Sequence, residues 1–229
     1  MKAKVLDIFR SIQGEGKYAG IVQVFVRFFE CNMHCVWCDT PNSIGDTTRN
    51  YTEISKEQMM EQIKLLWKKD HSLSLTGGEP LLHKDFIKSM LPLLKKENIL
   101  SYLETNGTLP QELNEIIDGI DIIAMDLKLQ SSTKTREYWD EHEEFLKIAS
   151  KKDVFVKIVI SSQTIKEDVK KAVDLVASLD KNLLFILQPN YFDMNNGVVQ
   201  KCVDFQEDCR KVLKNVRIIP QMHKMMRVK

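Results

Sequence analysis

Cys31, Cys35 and Cys38 follow one another with C-x3-C-x2-C spacing. Three closely spaced thiolates make a metal site one ligand short. A closed zinc site takes four ligands, and a fully ligated 4Fe-4S cluster takes four thiolates. With three cysteines on a cubane, one iron stays open to an outside group, and an open iron is a place for chemistry. The chain has five cysteines, an odd number with three of them crowded together, which suits metal binding in a reducing compartment better than a disulfide framework. Cys202 and Cys209 lie seven apart on an expected helix and read as small apolar residues on its buried face.

Other segments have residue types suited to holding a ligand. In Thr76-Gly77-Gly78-Glu79-Pro80 two glycines let backbone groups approach a bound molecule, and Glu79 offers an acceptor to an ammonium or hydroxyl. On its own the segment is also an ordinary turn. Ser11-Ile12-Gln13-Gly14-Glu15-Gly16 superficially matches a dinucleotide fingerprint, but a strand rather than a helix follows it, so it reads as a loop around a small ligand. Trp37 is either a packing residue or a shelf for a flat heterocycle. His34, His71 and His83 have plain readings as solvated or structural residues.

These residues need a scaffold, and the chain alternates strand and helix patterns throughout. Strands are expected at 21–29, 71–75, 99–104, 120–127, 154–160, 183–187 and 216–219. Capping-box spacing at Ser55 and Gln58, and at Thr164 and Glu167, starts helices at 55–68 and 164–179. Pro92 kinks or delays the helix expected at 84–96. Repeated strand-helix units imply parallel strands with right-handed crossovers, hence an α/β fold of the partial (β/α)6-type barrel.

Ligands in such folds sit at the carboxyl ends of the strands, and the cysteine loop and Thr76-Gly77-Gly78-Glu79-Pro80 both fall there. Glu104-Thr105-Asn106-Gly107, Asp126-Leu127-Lys128, Ser161-Ser162-Gln163, Gln188-Pro189-Asn190 and Gln221-Met222-His223-Lys224 end successive strands. Strand parity puts Val22, Val24, Val26 and Phe28 on one apolar face and Gln23, Phe25, Arg27 and Phe29 on the other. Arg27 therefore points inward. A buried guanidinium needs an anion, which is either a structural carboxylate such as Glu30 or Glu104 or a carboxylate on a ligand. Ser72, Ser74 and Thr76 share a face, as do Asp126 and Lys128, while Lys157 joins Phe155 and Val159.

Length and composition set the outer limits. With 229 residues and 43% hydrophobic content, the chain is expected to form one domain over 1–229. Its net charge of +1 provides no basic field for nucleic acid or a membrane surface. No apolar run reaches the length of a membrane span, and the first ten residues lack a signal-peptide core. A cytoplasmic protein is expected.

Taken together, these motifs resemble a known family. Cys31-x3-Cys35-x2-Cys38 and Thr76-Gly77-Gly78-Glu79 resemble the cluster and methionine-binding motifs of the radical S-adenosylmethionine superfamily. Ser11-x-Gln13-Gly14-Glu15-Gly16, Arg27, Cys38-Asp39-Thr40, Glu104-Thr105-Asn106-Gly107 and Gln221-x-His223-Lys224 resemble, within it, the 7-carboxy-7-deazaguanine synthase family of queuosine and deazapurine biosynthesis, a pathway of tRNA modification.

The resemblance implies a radical SAM core in which Cys31, Cys35 and Cys38 hold a 4Fe-4S cluster. S-adenosylmethionine would meet Trp37, Cys38, Asp39, Thr76, Gly77, Gly78, Glu79, Thr105, Asn106, Asp126, Lys128, Ser131, Gln188, Pro189, Asn190 and Tyr191. A pterin substrate would meet Ile12, Gln13, Gly14, Glu15, Arg27, Thr76 and His223, with Thr40 contacting Mg2+. The implied reaction is a ring contraction of 6-carboxy-5,6,7,8-tetrahydropterin with loss of ammonia, by a homodimer served by an electron donor such as a flavodoxin or ferredoxin. Two rivals stand beside it. A glycyl-radical activating enzyme would share the cluster but act on a protein, and a non-catalytic metal-binding module would account for the cysteines alone.

Overall fold

The computed structural model describes residues 1–45 and 50–228. A single nine-stranded sheet runs through them in the order β3-β1-β2-β4-β5-β6-β7-β8-β9. The strands are β1 (Lys2–Ile12), β2 (Val22–Phe28), β3 (Thr52–Ser55), β4 (Leu73–Gly77), β5 (Ser101–Thr105), β6 (Ile122–Asp126), β7 (Asp153–Ile160), β8 (Phe185–Pro189) and β9 (Val216–Ile218). From β2 to β9 each neighbouring pair is parallel, whereas β1 pairs antiparallel with both β2 and β3. The sheet is an unclosed barrel with an antiparallel extension at one edge. No helix among the described residues is long and apolar enough to cross a membrane.

The helices are α1 (Lys56–Leu66), α2 (Lys84–Lys96), α3 (Pro110–Ile116), α4 (Gln130–Thr133), α5 (Trp139–Ala149), α6 (Lys166–Leu179), α7 (Val198–Cys209) and α8 (Met222–Met226). Their apolar stripes cover the outer face of the sheet. Val24, Val26 and Phe28 of β2 join Leu73 and Leu75 of β4, Leu103 of β5, and Ile63, Phe86, Phe145 and Val173 of the helices in one continuous core. Cys202 and Cys209 lie in the same core on α7, as their spacing suggests. A smaller apolar cluster, Tyr102, Ile122, Ala124, Phe155, Leu184 and Ile186, fills the inner face lower down. It plugs the barrel interior and leaves the polar residues gathered above it.

The structure departs from the sequence expectation at three places. β1 and β3 are additional strands. The register of β1 shifts between Val5 and Asp7, and a bulge of this kind breaks the two-residue alternation by which a strand is recognised. α6 begins at Lys166 without a side-chain cap, because the Thr164 hydroxyl accepts the Ser161 N–H at 2.8 Å instead. α2 starts at Lys84 and continues through Pro92 to Lys96.

The capping box of α1 is present. Ser55 Oγ accepts the Gln58 N–H at 3.3 Å, and Gln58 Oε1 accepts the Ser55 N–H at 3.0 Å. Ser55→Ala leaves one helix N–H without its cap and is expected to cost about 1 kcal/mol. Urea unfolding of the variant should show a lower midpoint with an unchanged slope, and an unchanged midpoint would count against the cap.

Candidate active site

A cavity of about 450 Å³ opens at the carboxyl ends of the parallel strands. Its wall brings together Cys31, Cys35 and Cys38 from the loop after β2, Gly77 and Gly78 after β4, Asn106 after β5, Lys128 after β6 and Asn190 after β8. Ile12 at the end of β1 and Gln13, Gly14 and Glu15 in the loop after it close one side, and Gln221, His223 and Lys224 from α8 and the residue before it the other. Inward-facing strand residues complete it, among them Phe25, Arg27, Thr76, Asp126, Lys157 and Gln188.

The two glycines at the end of β4 are required by the backbone packed against them. Gly77 has φ +129°, and a Cβ there would lie 2.3 Å from the Phe28 carbonyl oxygen. A Cβ on Gly78 would lie 2.0 Å from the carbonyl oxygen of Glu30. The loop after β4 thus lies directly against the start of the cysteine loop, fixed by the Glu79 N–H donating to the Glu30 carbonyl at 2.8 Å. Gly14 plays the same part on the far side, since a Cβ there would lie 2.1 Å from His223 Nδ1.

Glu79 does not face the cavity. It is fully buried, and its carboxylate accepts the Leu81 N–H (3.1 Å), the Thr105 hydroxyl (2.9 Å) and the Asn106 N–H (2.8 Å). Burial pushes its carboxyl up to about 7 against the pull of those donors. The sequence reading gave Glu79 to a ligand ammonium, but its geometry is that of a clasp between the loops after β4 and β5. Three other expected contacts also lie off the cavity wall. Ser131 Oγ accepts the Ile165 N–H at 3.2 Å, and its own N–H donates to Asp168 at 2.9 Å, knitting α4 to α6. Pro189 and Tyr191 line a separate groove with Phe192, Met194 and Met225. Each belongs to a segment whose neighbour, Lys128 or Asn190, does line the cavity, and position in a loop does not say which residue turns inward.

Arg27 is placed as strand parity requires. The carboxylates that competed for it are engaged elsewhere. Glu30 takes Lys4 at 2.6 Å, and Glu104 accepts Gln13 Nε2 (2.6 Å), the Ser74 hydroxyl (3.0 Å) and the Thr76 hydroxyl (2.8 Å). Arg27 donates instead to Thr40 Oγ1 at 3.1 Å and sits 5.6 Å from the centre of the Phe9 ring. The Thr40 hydroxyl in turn donates to Asp39 at 3.1 Å. Burial disfavours the Asp39 carboxylate, yet His223 and Lys224 outweigh it and hold its pKa well below the usual range.

The floor and far wall carry a chain of charges. Lys157 contacts Asp126 at 2.7 Å and Glu15 at 2.6 Å, while Lys128 contacts Asp126 at 2.9 Å. Burial opposes charging all four groups. Their mutual attraction wins, so Asp126 and Glu15 titrate below, and Lys128 and Lys157 above, their ordinary values. Lys128 lies 4.8 Å from the Trp37 ring centre, and Trp37 Nε1 donates to the Ser132 carbonyl at 2.8 Å. Trp37 is thus both a packing residue and part of the cavity wall.

Whether these residues fit an iron-sulfur cluster and S-adenosylmethionine can be judged from their arrangement. Among the described residues, the only three potential ligands with donor atoms all within 4.8 Å of one another are Glu15, Asp39 and His223. Cys31, Cys35 and Cys38 line the same cavity, and on a cubane each of three thiolates takes a different iron. Burial raises all three thiols, Cys31 to about 12, so each must release a proton as it takes a metal. Asp126 Oδ1 and Gln188 Oε1 are buried on the same wall with no hydrogen-bond partner, as expected of groups shaped to meet a polar ligand. The residues fit.

Comparison with known proteins gives the same answer. The Radical SAM superfamily profile matches residues 26–176, so the barrel and its cysteine loop are those of a radical SAM enzyme. The 7-carboxy-7-deazaguanine synthase of Geobacter sulfurreducens is 35% identical over 243 residues, covering 98% of this chain and 97% of that protein. That of Thermoplasma acidophilum is 34% identical over 223 residues, covering 96% and 95%. The crystal structure of QueE from Escherichia coli superposes with a TM-score of 0.67 at 20% identity over 97% of this chain and 95% of that one, a likeness of fold. This chain belongs to the 7-carboxy-7-deazaguanine synthase family.

Glu104, Lys157 and Gln221 are wall residues that the site expected from the sequence does not include. Strand parity put Lys157 on the inner face, and Glu104 and Gln221 sat in motifs already singled out, but pairwise partners across the barrel are not visible in a linear pattern.

His142 closes the loop after β5 from behind, with Nε2 3.2 Å from the Asn106 carbonyl oxygen. Burial pushes its pKa from 6.5 down to about 4, so the unfolded chain binds this proton more readily than the folded one. The group's contribution is complete above about pH 6.5 and lost as pH falls toward about 4. As pH rises from about 4 to about 6.5, the wild type should gain about 3 kcal/mol relative to His142→Asn, read from urea midpoints. Parallel pH curves for the two proteins would exclude this role.

Proposed function

We propose that this chain is a radical SAM lyase that contracts the ring of 6-carboxy-5,6,7,8-tetrahydropterin to give 7-carboxy-7-deazaguanine with loss of ammonia. The observation that carries the reading is Arg27. Its half-buried guanidinium lines the cavity with no carboxylate partner among the described residues. A guanidinium in such a place calls for an anion of the right shape, and a carboxylated small molecule supplies one. A polypeptide reacting at a backbone glycine brings no carboxylate on the reacting residue itself.

Cys31, Cys35 and Cys38 would hold the 4Fe-4S cluster. Gly77, Gly78, Asn106, Asp126, Lys128, Gln188 and Asn190 would line the place of S-adenosylmethionine. When bound, these groups supply the radical that removes a hydrogen atom from the substrate. The protein contributes binding, orientation and exclusion of water. Arg27 would hold the pterin carboxylate, with Thr40 beside it offering a hydroxyl oxygen to Mg2+, a cation that takes few protein ligands and completes its shell with substrate oxygens and water.

Glu104, already fixed by Gln13, Ser74 and Thr76, would accept N–H groups of the heterocycle, and Phe9 and Phe25, stacked with ring centres 5.1 Å apart, would screen one side. Ile12, Gly14, Glu15 and His223 would close the other. Gln13 acts through its neighbours, since its side chain bonds Gln23, Glu104 and the Glu15 N–H. The same reading takes one domain over the whole chain, a homodimer, a flavodoxin- or ferredoxin-like electron donor and a cytoplasmic location.

An anaerobic assay with reductant, S-adenosylmethionine, magnesium and 6-carboxytetrahydropterin should yield deazaguanine carboxylate by mass spectrometry. Arg27→Ala is expected to keep the brown cluster absorbance while kcat/KM falls about 100-fold, the scale of a lost charge-assisted pair. A colourless Arg27→Ala protein would place the residue on the cluster side, and a reconstituted wild type that forms no product would reject the reading.

A further inference from the structure

We propose that Lys157 is a positioning residue that holds the substrate loop and the C-terminal helix down over the cavity, so that the pterin side of the site is assembled through one buried ammonium on the barrel wall. This rests on the functional reading above. Lys157 lies in β7, paired on both sides by parallel strands, and its side chain is 11% exposed. On one side it meets Asp126, which Lys128 already neutralises. On the other it meets Glu15 at 2.6 Å, on the loop after β1.

Glu15 links Lys157 to the C-terminal helix. Its second oxygen accepts Gln221 Nε2 at 2.7 Å, and that same Nε2 reaches Asp39 at 3.2 Å. The Met222 N–H donates to the Gly14 carbonyl at 2.9 Å, so α8 stands directly on the loop that Lys157 holds. The helix is five residues long and has no buried residue. It has no core of its own to keep it in place. A β-strand ammonium gripping Glu15 therefore fixes the front of the loop after β1 and, through it, α8, and these segments carry Gln13, Gly14 and His223.

Charge explains why lysine is needed there. Without the ammonium, Glu15 and Asp126 face a shared, poorly solvated space as two carboxylates, and removing one partner of a buried ion pair leaves an uncompensated charge that the structure relieves by opening. The loop and α8 are the parts able to open. The sheet strands are not.

The test is hydrogen exchange on the cluster-free full-length chain, which needs neither substrate nor activity. In Lys157→Met, amides in 12–20 and 221–228 should exchange at least about tenfold faster, while those of β6, β7 and α6 keep their protection. Combining Lys157→Met with Glu15→Gln, which removes the carboxylate left unpaired, should restore part of that protection. In the reconstituted enzyme KM for the pterin should rise about tenfold or more, with KM for S-adenosylmethionine changed less than about threefold.

Unchanged exchange in the two segments would overturn the proposal, as would a loosening spread evenly over the sheet, which marks a merely structural lysine. Should Lys157→Met fail to fold, Glu15→Gln alone breaks the same contact while leaving the Lys157–Asp126 pair, and the same exchange pattern is required of it. A chain inactive on the pterin but showing the localised exchange would reject the functional reading and leave the tether standing.

Discussion

The organising constraint is buried charge. An isolated ammonium or carboxylate inside a protein is so costly that it must be paired or lose its charge, and this barrel places several such groups on its inner face. Asp126, Lys128, Lys157 and Glu15 satisfy one another in a chain, whereas Glu79, with hydrogen-bond donors but no cation in contact among the described residues, shifts toward its neutral form. Arg27, with no carboxylate partner among the described residues, marks where that pairing is left incomplete.

The rest of the architecture serves to make such an interior possible. Helices cover one face of a parallel sheet with a continuous apolar core, and the inner cluster around Tyr102 and Phe155 closes the barrel from below. Polar side chains are thereby confined to the carboxyl ends of the strands. There the loops come from elements distant in sequence, so a compact site is built from residues between 9 and 228. Tight backbone contact at Gly77 and Gly78, and the His223 side chain against Gly14, press the loops together closely enough that cysteines, glycines and charges share one space.

The family shared with the Geobacter and Thermoplasma proteins gives this interior its chemical sense. A wall with three raised thiols and two orphaned buried oxygens suits a cofactor that brings its own reactivity. The charged floor and the arginine suit a small anionic substrate. The protein's part is then to hold two ligands in register and keep water out, a task for rigid, paired groups rather than for a general acid or base.

The sequence by itself determined the cysteine spacing, the Gly-Gly-Glu turn, the alternation of strand and helix, and the inward facing of Arg27 and Lys157, because each follows from local periodicity or from residue type. It did not reveal β1, whose bulge at Val5 and Asp7 interrupts the alternation, nor β3, too short to form a pattern. Only the tertiary structure decided that Glu79 is a clasp, that Ser131 and Tyr191 turn away from the cavity, and that Glu30 and Glu104 are taken by partners other than Arg27. Those outcomes depend on which partner lies across the barrel. Contacts such as Lys157 with Glu15, 142 residues apart, arise from the pairing of strands and loops in space, which no local pattern encodes.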